Sequence, residues 1–295
     1  MKNLIIVTGG AGFVGSNLIN LLLKKTNKRI LSIDNYSSGS KKNHVNNKRV
    51  KYIIGNTLDI EKLISKYKKV IHSIFHFGEF ARIYQSFNKF EECFKSNSIG
   101  TNAVFKFCLE NKIKLIYSAT SATLGNSGRD KNLSPYAFTK SKNLELLENL
   151  KEWFNFRFEV IYFYNVYGPG HIKKGPMATV VGIFEDKFKN KKPLPVVKPG
   201  TQTRRFTHIQ DTVKVCYEAW VNDKCAHYSI SHKKSYSIKE VAKLFKTKIV
   251  YVKKRPGERY ASALTKISLN NKVFRRFGKI NLKDYISSFI KGKKL

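Results

Sequence analysis

The sequence predicts an α/β protein built on a doubly wound parallel sheet, with a smaller C-terminal α/β region. Three observations lead to this fold class. Short apolar strands alternate with helical segments up to about residue 120, a glycine-rich turn joins the first strand to the first helix, and polar loops follow several strands. Strands that alternate with helices indicate βαβ units, and such units assemble into a parallel sheet.

The first strand leads directly into the glycine-rich turn. Residues 4–7 form a continuous apolar run, which is typical of a strand buried on both faces, and residues 16–25 follow as a helical pattern. Glycines between a strand and a helix permit a tight turn, close approach to a pyrophosphate and close helix packing. The positive end of the helix then faces the phosphates. The expected cofactor contacts of this turn are Gly9, Gly12, Phe13, Val14 and Gly15.

The second predicted strand ends in a carboxylate. Residues 29–33 precede Asp34, which stands about 20 residues past the glycine-rich turn. A carboxylate in this place accepts hydrogen bonds from the adenosine ribose hydroxyls and repels a 2′-phosphate. We therefore expect NAD as the cofactor, with Asp34 and Asn35 beside its ribose.

The later strands also end in small or polar residues. We expect strands over residues 50–54, 70–77, 114–118 and 161–164, and a long helix over residues 90–111. Ligands bind at the carboxyl ends of parallel strands, so these loops should surround one crevice. The further cofactor contacts expected around it are Asn56, Thr57, Phe77, Gly78, Asn97, Ser118 and Phe163.

Candidate catalytic residues follow the fifth predicted strand. Thr120 closes this strand, and Tyr136 and Lys140 lie four residues apart on one face of a predicted helix. A Lys ammonium beside a phenol favours the phenolate and so lowers the phenol pKa. A phenolate near neutral pH is a competent general base for a sugar or alcohol hydroxyl. Thr120 can share a hydrogen bond with the reacting oxygen, and both Tyr136 and Lys140 are also expected beside the cofactor ribose.

These motifs resemble the extended short-chain dehydrogenase/reductase family, in its nucleotide-sugar epimerase/dehydratase branch. The segments TGGAGFVGSNL, SIDNYSSG, HFGEF, SNSIGT, YSATSATLG, SPYAFTK, YFYNVYGPG, RRFTHIQDTV and RPGERYAS occur in the family's order over nearly the whole chain. The resemblance implies a Rossmann-type fold, a tightly held dinucleotide, hydride transfer at a sugar carbon and a nucleoside-diphosphate sugar as substrate. It implies that Tyr136 is the catalytic base, with Lys140 as its partner and Thr120 as the assisting hydroxyl.

The resemblance also implies residues that bind the sugar nucleotide. Asn165, Arg204 and Arg255 match diphosphate-binding positions, and guanidinium groups suit phosphate geometry. Ser262 matches a gate beside the C2 substituent of the sugar, where a small residue leaves room for an N-acetyl group. The substrate contacts implied in this way are Thr120, Asn165, Arg204, Arg255, Glu258 and Ser262.

Three features depart from the family pattern. Asn56 stands where an Asp usually contacts the adenine, and the loop between Gly125 and Tyr136 is shorter than usual. Glu79 occupies a place that is usually small and apolar. Glu79 is functional if it faces the nicotinamide and has no role if it turns outward.

The residues after Thr120 narrow the reaction. Dehydratase relatives carry Asp-Glu there and decarboxylase relatives carry a Glu, whereas this chain has Ser121 and Ala122. Reductase-epimerase relatives use a Cys and a His, and no Cys lies near Thr120 in the sequence. The remaining groups suffice for 4-epimerisation, in which bound NAD takes a hydride and returns it to the other face of a transient 4-keto sugar.

The sequence therefore predicts an NAD-dependent 4-epimerase of a UDP-sugar, either UDP-GlcNAc/UDP-GalNAc or UDP-Glc/UDP-Gal. A C4 dehydrogenase or another epimerase of a nucleotide-linked sugar is the alternative. A non-catalytic NAD-binding or RNA-binding protein with the same fold is a more distant alternative.

Composition limits the partners. The chain has 295 residues, a formal charge of +36 and four Cys. Its Lys residues are spread along the whole chain, which favours general enrichment of solvated positions over a specific nucleic-acid site, although a positive field would also attract anionic nucleotides. We expect a cytoplasmic homodimer with no metal and no membrane segment. The expected dinucleotide-binding domain covers residues 1–165 with 209–232, and the sugar-nucleotide-binding region covers 166–208 and 233–295.

Overall fold

The computed structural model describes residues 2–257 and 273–293. Its strands are β1 (Leu4–Thr8), β2 (Arg29–Asp34), β3 (Val50–Ile54), β4 (Ile71–His76), β5 (Lys114–Thr120), β6 (Phe158–Phe163), β7 (Val166–Tyr167), β8 (Leu194–Val197), β9 (Thr203–Arg205), β10 (Thr207–His208), β11 (His227–Ser231), β12 (Ser235–Ser237), β13 (Ile249–Val252) and β14 (Val273–Phe277). Its α-helices are α1 (Phe13–Lys25), α2 (Ile60–Ile64), α3 (Gln85–Asn88), α4 (Phe90–Phe94), α5 (Thr101–Glu110), α6 (Pro135–Phe154), α7 (Val180–Lys189), α8 (Ile209–Asn222), α9 (Ile238–Leu244) and α10 (Leu282–Ile290). A π-helical segment, Lys95–Gly100, joins α4 to α5, so the long helix predicted over residues 90–111 is present.

Eight parallel strands form one sheet in the order β14-β11-β6-β5-β4-β1-β2-β3. The chain builds outward from β1 in both directions, so the strand order reverses between β1 and β4. The doubly wound fold class is thereby confirmed. Ligands bind such sheets outside the carboxyl ends of the strands at this point of reversal.

Helices cover both faces of the sheet because its strands are apolar on both sides. Alternate residues of β1 point to opposite faces: Ile5 and Val7 pack with α1 and α8, whereas Leu4 and Ile6 pack with α2 and α5. A third core lies outside the sheet, where α7, α9 and α10 surround β8 and pack around Phe184 and Phe245. Among the helices of the described residues, none combines the length and apolar character of a membrane span.

The smaller region consists of short elements. Residues 203–208 contain two short strands, β9 and β10, and α8 begins directly after them at Ile209. β14 pairs with β11 in the large sheet, although the predicted division assigned residues 233–295 to the smaller region. β14 thereby pairs the outer backbone groups of β11 and becomes the edge strand of the sheet.

Thr8 ties the carboxyl ends of the two central strands together. Its Oγ1 accepts the backbone N–H groups of Phe77 and Gly78 at 3.1 and 3.0 Å, and it lies 2.8 Å from Nδ1 of His76. All three partners belong to the end of β4 or to the loop after it. One buried hydroxyl therefore fixes this loop against the glycine-rich turn that follows β1.

Thr8→Val should destabilise the fold by about 2–4 kcal/mol, because it leaves the part-buried Gly78 amide and the buried His76 ring nitrogen without this partner. Thr212→Val is the matched control, since Thr212 is equally buried but donates only to the His208 carbonyl at the start of its own helix. Its cost should stay below about 1 kcal/mol. Equal costs in urea unfolding would show that Thr8 does not have this linking role.

Candidate active site

The glycine-rich turn crosses the loop after β4 at very short range. Gly9 has φ +70°, and a Cβ at this residue would lie 2.8 Å from the Phe77 carbonyl group and 2.9 Å from the Gly78 nitrogen. A Cβ at Gly15 would lie 2.2 Å from the Gly9 carbonyl oxygen. The two glycines are therefore required by close backbone approach, as their spacing predicted.

Asp34 is anchored to this turn. One carboxylate oxygen accepts the Ala11 N–H at 2.9 Å, and the other accepts the Tyr36 N–H at 2.8 Å. Burial raises the pKa of Asp34, and these backbone hydrogen bonds oppose the shift. At the next strand end, Asn35 donates to the side-chain oxygen of Asn56 at 2.7 Å, so the ends of β2 and β3 are joined.

Further predicted cofactor residues lie at or after the ends of several strands. Phe77 and Phe163 form an edge-to-face pair with ring centroids 5.6 Å apart, and Ser118 donates to the His76 carbonyl at 3.1 Å. Ser118, Thr57 and Asn97 are buried. Thr57 lies against the backbone of the π-helical segment at Gly100.

Asn97 clamps the loop that follows β4. Its side chain accepts the Phe80 N–H at 2.7 Å and donates to the Phe80 carbonyl at 3.0 Å, and Asn97 has no exposed surface. These contacts hold the loop at Phe80 against the π-helical segment. The cofactor contact expected of Asn97 stays a prediction.

Thr120 and Tyr136 come together at the carboxyl end of β5. The Thr120 side chain hydrogen-bonds the Tyr136 phenol, and its Oγ1 also accepts the Ala122 N–H at 3.1 Å, which leaves the hydroxyl hydrogen for the phenol oxygen. Burial raises the pKa of Tyr136 to about 12, and the Glu79 carboxylate contributes in the same direction. The Thr120 hydrogen bond and the Arg82 charge oppose this shift.

The ammonium of Lys140 is paired with Glu79, which was not foreseen. Lys140 Nζ donates to the Glu79 carboxylate and to the Ser118 carbonyl, and it lies 4.6 Å from the centroid of the Tyr117 ring. The predicted lowering of the Tyr136 pKa by Lys140 is not found, because a carboxylate neutralises the ammonium at short range. The Glu79 side chain points into the protein and pairs with Lys140, so it does not face outward.

Two further residues approach Tyr136 from distant parts of the chain. Cys93 packs against Tyr136 together with Ala122, although it is remote from Thr120 in the sequence. Burial raises the pKa of its thiol to about 11, so the thiol is neutral near pH 7. Arg82 donates from Nε to the Met177 carbonyl at 2.9 Å. Arg82 lies three residues after Glu79 in the loop that follows β4. This position after a strand end is the sequence signal that could have predicted Arg82.

The predicted diphosphate residues lie on the side of the smaller region. Asn165 donates to the Arg205 carbonyl at 2.8 Å, and Arg204 is buried on β9 with Nη1 donating to the Thr203 carbonyl. The Arg255 guanidinium lies 5.3 Å from the centroid of the Tyr84 ring, beside the loop after β4.

Arg205 was not predicted. Its Nε is buried and has no hydrogen-bond partner among the described residues. Glu258 and Ser262 lie outside the described residues, and so does the sugar gate expected at Ser262.

A family model described as the NAD dependent epimerase/dehydratase family matches residues 5–231. The chain belongs to this family. It is 30% identical over 260 residues to ADP-L-glycero-D-manno-heptose-6-epimerase from Brachyspira hyodysenteriae, with 82% of this chain and 80% of that protein covered.

Solved epimerase structures share the fold. The structure of UDP-glucose 4-epimerase from Thermus thermophilus in complex with NAD is 20% identical, with a TM-score of 0.84 over 98% of each chain. UDP-N-acetylglucosamine 4-epimerase from Methanobrevibacter ruminantium is 24% identical, with a TM-score of 0.81 over 99% of this chain and 98% of that one.

The geometry of this epimerase-family chain fits NAD, the cofactor of the family. No side chain caps α1 at Gly12, and its first turn has no acidic residue, within the part of the chain that the structure describes. The first amides of α1 are therefore left for an anion such as a pyrophosphate. A Cβ at Gly12 would meet only the Gly9 backbone, so the turn is open on its other side.

The raised pKa of Tyr136 gives a direct expectation for the ligand-free protein. Ultraviolet difference titration of the wild type against Tyr136→Phe should show no tyrosinate from Tyr136 between pH 7 and about 10, because burial favours the neutral phenol. A wild-type excess of one tyrosinate below about pH 9 would contradict this environment, since an unperturbed Tyr titrates near pH 10.

Proposed function

We propose that this chain is an NAD-dependent 4-epimerase of a UDP-hexose or UDP-N-acetylhexosamine, which it epimerises through a transient 4-keto sugar. The observation that carries the proposal is the hydrogen-bonded Tyr136–Thr120 pair at the carboxyl end of β5. The carboxylate whose charge acts on Tyr136, Glu79, is paired with Lys140. These groups can move a proton at one hydroxyl, which is what a reversible oxidation at one carbon requires.

Each residue of the pair has a defined task in this proposal. Tyr136 accepts the proton of the reacting hydroxyl, and Thr120 holds the same oxygen by a hydrogen bond. When bound, NAD supplies a hydride acceptor that carries a positive charge in its oxidised form. A positive charge beside a phenol lowers the phenol pKa, so Tyr136 gains basic character only in the loaded enzyme.

We assign the diphosphate of the substrate to Asn165, Arg204 and Arg255. The support is that Asn165 joins the end of β6 to β9, which carries Arg204, and that Arg255 reaches the loop after β4. Ser262 and Glu258 are proposed to contact the sugar side on the resemblance alone. A small residue at Ser262 would admit an N-acetyl group.

A second candidate is 6-epimerisation of an ADP-linked heptose. The relative from Brachyspira hyodysenteriae, which is 30% identical, carries that activity in its name. The same phenol and hydroxyl could handle the proton of a C6 hydroxyl, so the two candidates differ in the carbon that is presented to Tyr136.

We also propose that the protein is a cytoplasmic homodimer. On the surface of α4, Phe90 and Phe94 stack with ring centroids 5.8 Å apart, and both are exposed. An apolar groove between α5 and α6 includes Phe105 and Leu109. Exposed apolar surface of this kind is typical of an interaction site.

Asp34→Ala should weaken NAD binding by about tenfold or more, because a charge-assisted hydrogen bond to the ribose is lost. It should also narrow the preference for NAD over NADP, since the carboxylate no longer repels a 2′-phosphate. Asp284→Ala, which removes an exposed carboxylate at the start of α10, is the control and should leave both affinities unchanged. Calorimetric titration measures the dissociation constants of the three proteins for NAD and NADP, and equal affinity of the wild type for NAD and NADP would rule out this role.

Tyr136→Phe should reduce epimerase turnover by about 10²–10⁴, the usual effect of removing a general base, while NAD binding and folding are retained. The assay offers UDP-glucose, UDP-GlcNAc and an ADP-heptose to the wild type and the variant, and follows the epimer ratio by NMR. Turnover of the heptose with no turnover of either UDP-sugar would select the second candidate. Near-normal turnover by the Phe variant would remove Tyr136 from the mechanism.

A further inference from the structure

Glu79 is a carboxylate buried beneath the active site. Its side chain is 2% exposed, and it receives donors from three surrounding elements. One oxygen accepts the Lys140 ammonium, and the other lies within hydrogen-bond distance of the following groups: Thr101 Oγ1 at 3.0 Å, the Tyr117 hydroxyl at 3.1 Å and Asn143 Nδ2 at 3.4 Å. A carboxylate with this many donors is held in one position.

A chain of hydrogen bonds connects Glu79 to the glycine-rich turn, and its direction can be assigned. Thr8 Oγ1 accepts two backbone N–H groups, so its own hydrogen is left for Nδ1 of His76. The ring proton of His76 then lies on Nε2, which is 3.0 Å from Thr101 Oγ1. Thr101 in turn donates to Glu79. Burial lowers the pKa of His76 to about 3, so this relay contains a neutral imidazole.

The pairing also limits what Lys140 can do. An ammonium has three N–H donors, and two of those on Lys140 are taken by Glu79 and the Ser118 carbonyl. One donor remains for a ligand in the crevice. The Lys140 side chain is 4% exposed, so water cannot replace the Glu79 carboxylate as the partner of its charge.

We propose that Glu79 is a positioning residue, whose buried carboxylate fixes the Lys140 ammonium at the carboxyl end of β5 and keeps it charged for the cofactor ribose. The inference rests on the proposed role of Lys140 toward NAD and is independent of which sugar is epimerised. It goes beyond the general features of the family, because Glu79 stands in a place where a small apolar residue is expected.

The electrostatics of the pocket agree with this geometry. Burial lowers the pKa of Lys140, and the Glu79 carboxylate opposes this lowering. Removal of the carboxylate would leave an ammonium buried without a counter-charge, which favours loss of its proton. The other titratable groups that face the pair are His76 on β4, Tyr117 on β5, Tyr136 on α6 and Cys93 on α4. Near neutral pH none of them supplies a second negative charge, because burial keeps all four uncharged.

The test is the pH dependence of NAD binding to the full-length protein, measured by calorimetry from pH 7 to about 9.5. The wild-type dissociation constant should be constant over this range. In Glu79→Gln, which keeps the shape but removes the charge, it should rise by about tenfold or more as Lys140 loses its proton. It should approach the value of Lys140→Met, which carries no amine and should bind weakly at every pH.

The controls separate this inference from the proposals on which it rests. In the double variant Glu79→Gln/Lys140→Met the pH dependence should vanish, which identifies Lys140 as the titrating group. Glu91→Gln, which removes an exposed carboxylate on α4, should behave as wild type. A uniform weakening in Glu79→Gln, equal at all pH values, would mean a merely structural role and would overturn the inference.

Two other outcomes are also decisive. If Lys140→Met binds NAD as tightly as the wild type, the role assigned to Lys140 is wrong. If Glu79→Gln does not fold, the wild-type profile still decides: a rise of the dissociation constant above pH 8 that is absent in Lys140→Met would show that Glu79 does not keep Lys140 charged.

Discussion

The close crossing of the Gly9 turn and the Phe77–Gly78 backbone is the constraint on which the site depends. It sets the start of α1 and the course of the loop after β4 at the same time, and Thr8 holds both strand ends in place. Asn97 also holds the same loop at Phe80. The side chain between Gly78 and Phe80 is therefore directed into the protein at the carboxyl ends of the central strands. That side chain is Glu79, so the backbone of the cofactor turn determines where the carboxylate meets Lys140.

A buried ion pair is an expensive element, since both ions lose their hydration. Here the cost is reduced by the additional donors to Glu79 and by the Ser118 carbonyl and Tyr117 ring beside Lys140. The pair is electrically neutral overall, in a chain whose formal charge is +36. The phenol of Tyr136 is consequently not exposed to an unbalanced ammonium, and its ionisation depends on what binds in the crevice.

Features that arise from short sequence patterns could be predicted. Glycine spacing between a strand and a helix, the acidic end of β2 and the Tyr136–Lys140 spacing are local, and the structure brings the corresponding strand ends to one edge of the sheet. The partner of Lys140 could not be predicted, because Glu79 lies 61 positions away in the sequence and is held inward by contacts to Thr101 on α5 and Tyr117 on β5. Cys93 reaches Tyr136, and β14 reaches the large sheet, through tertiary packing that leaves no periodic signal in the sequence.

The central claim is that hydride leaves and returns to the same sugar carbon. The measurement that tests it most directly is the mass of the epimerised product formed in deuterium oxide, after exchangeable deuterons have been washed out in water. Return of the original hydride by bound NAD predicts a product with no carbon-bound deuterium and an unchanged mass. A gain of one mass unit at the epimerised carbon would show that a proton, and not a hydride, is removed there, and it would contradict the assignment of Tyr136 as a base that acts on a hydroxyl.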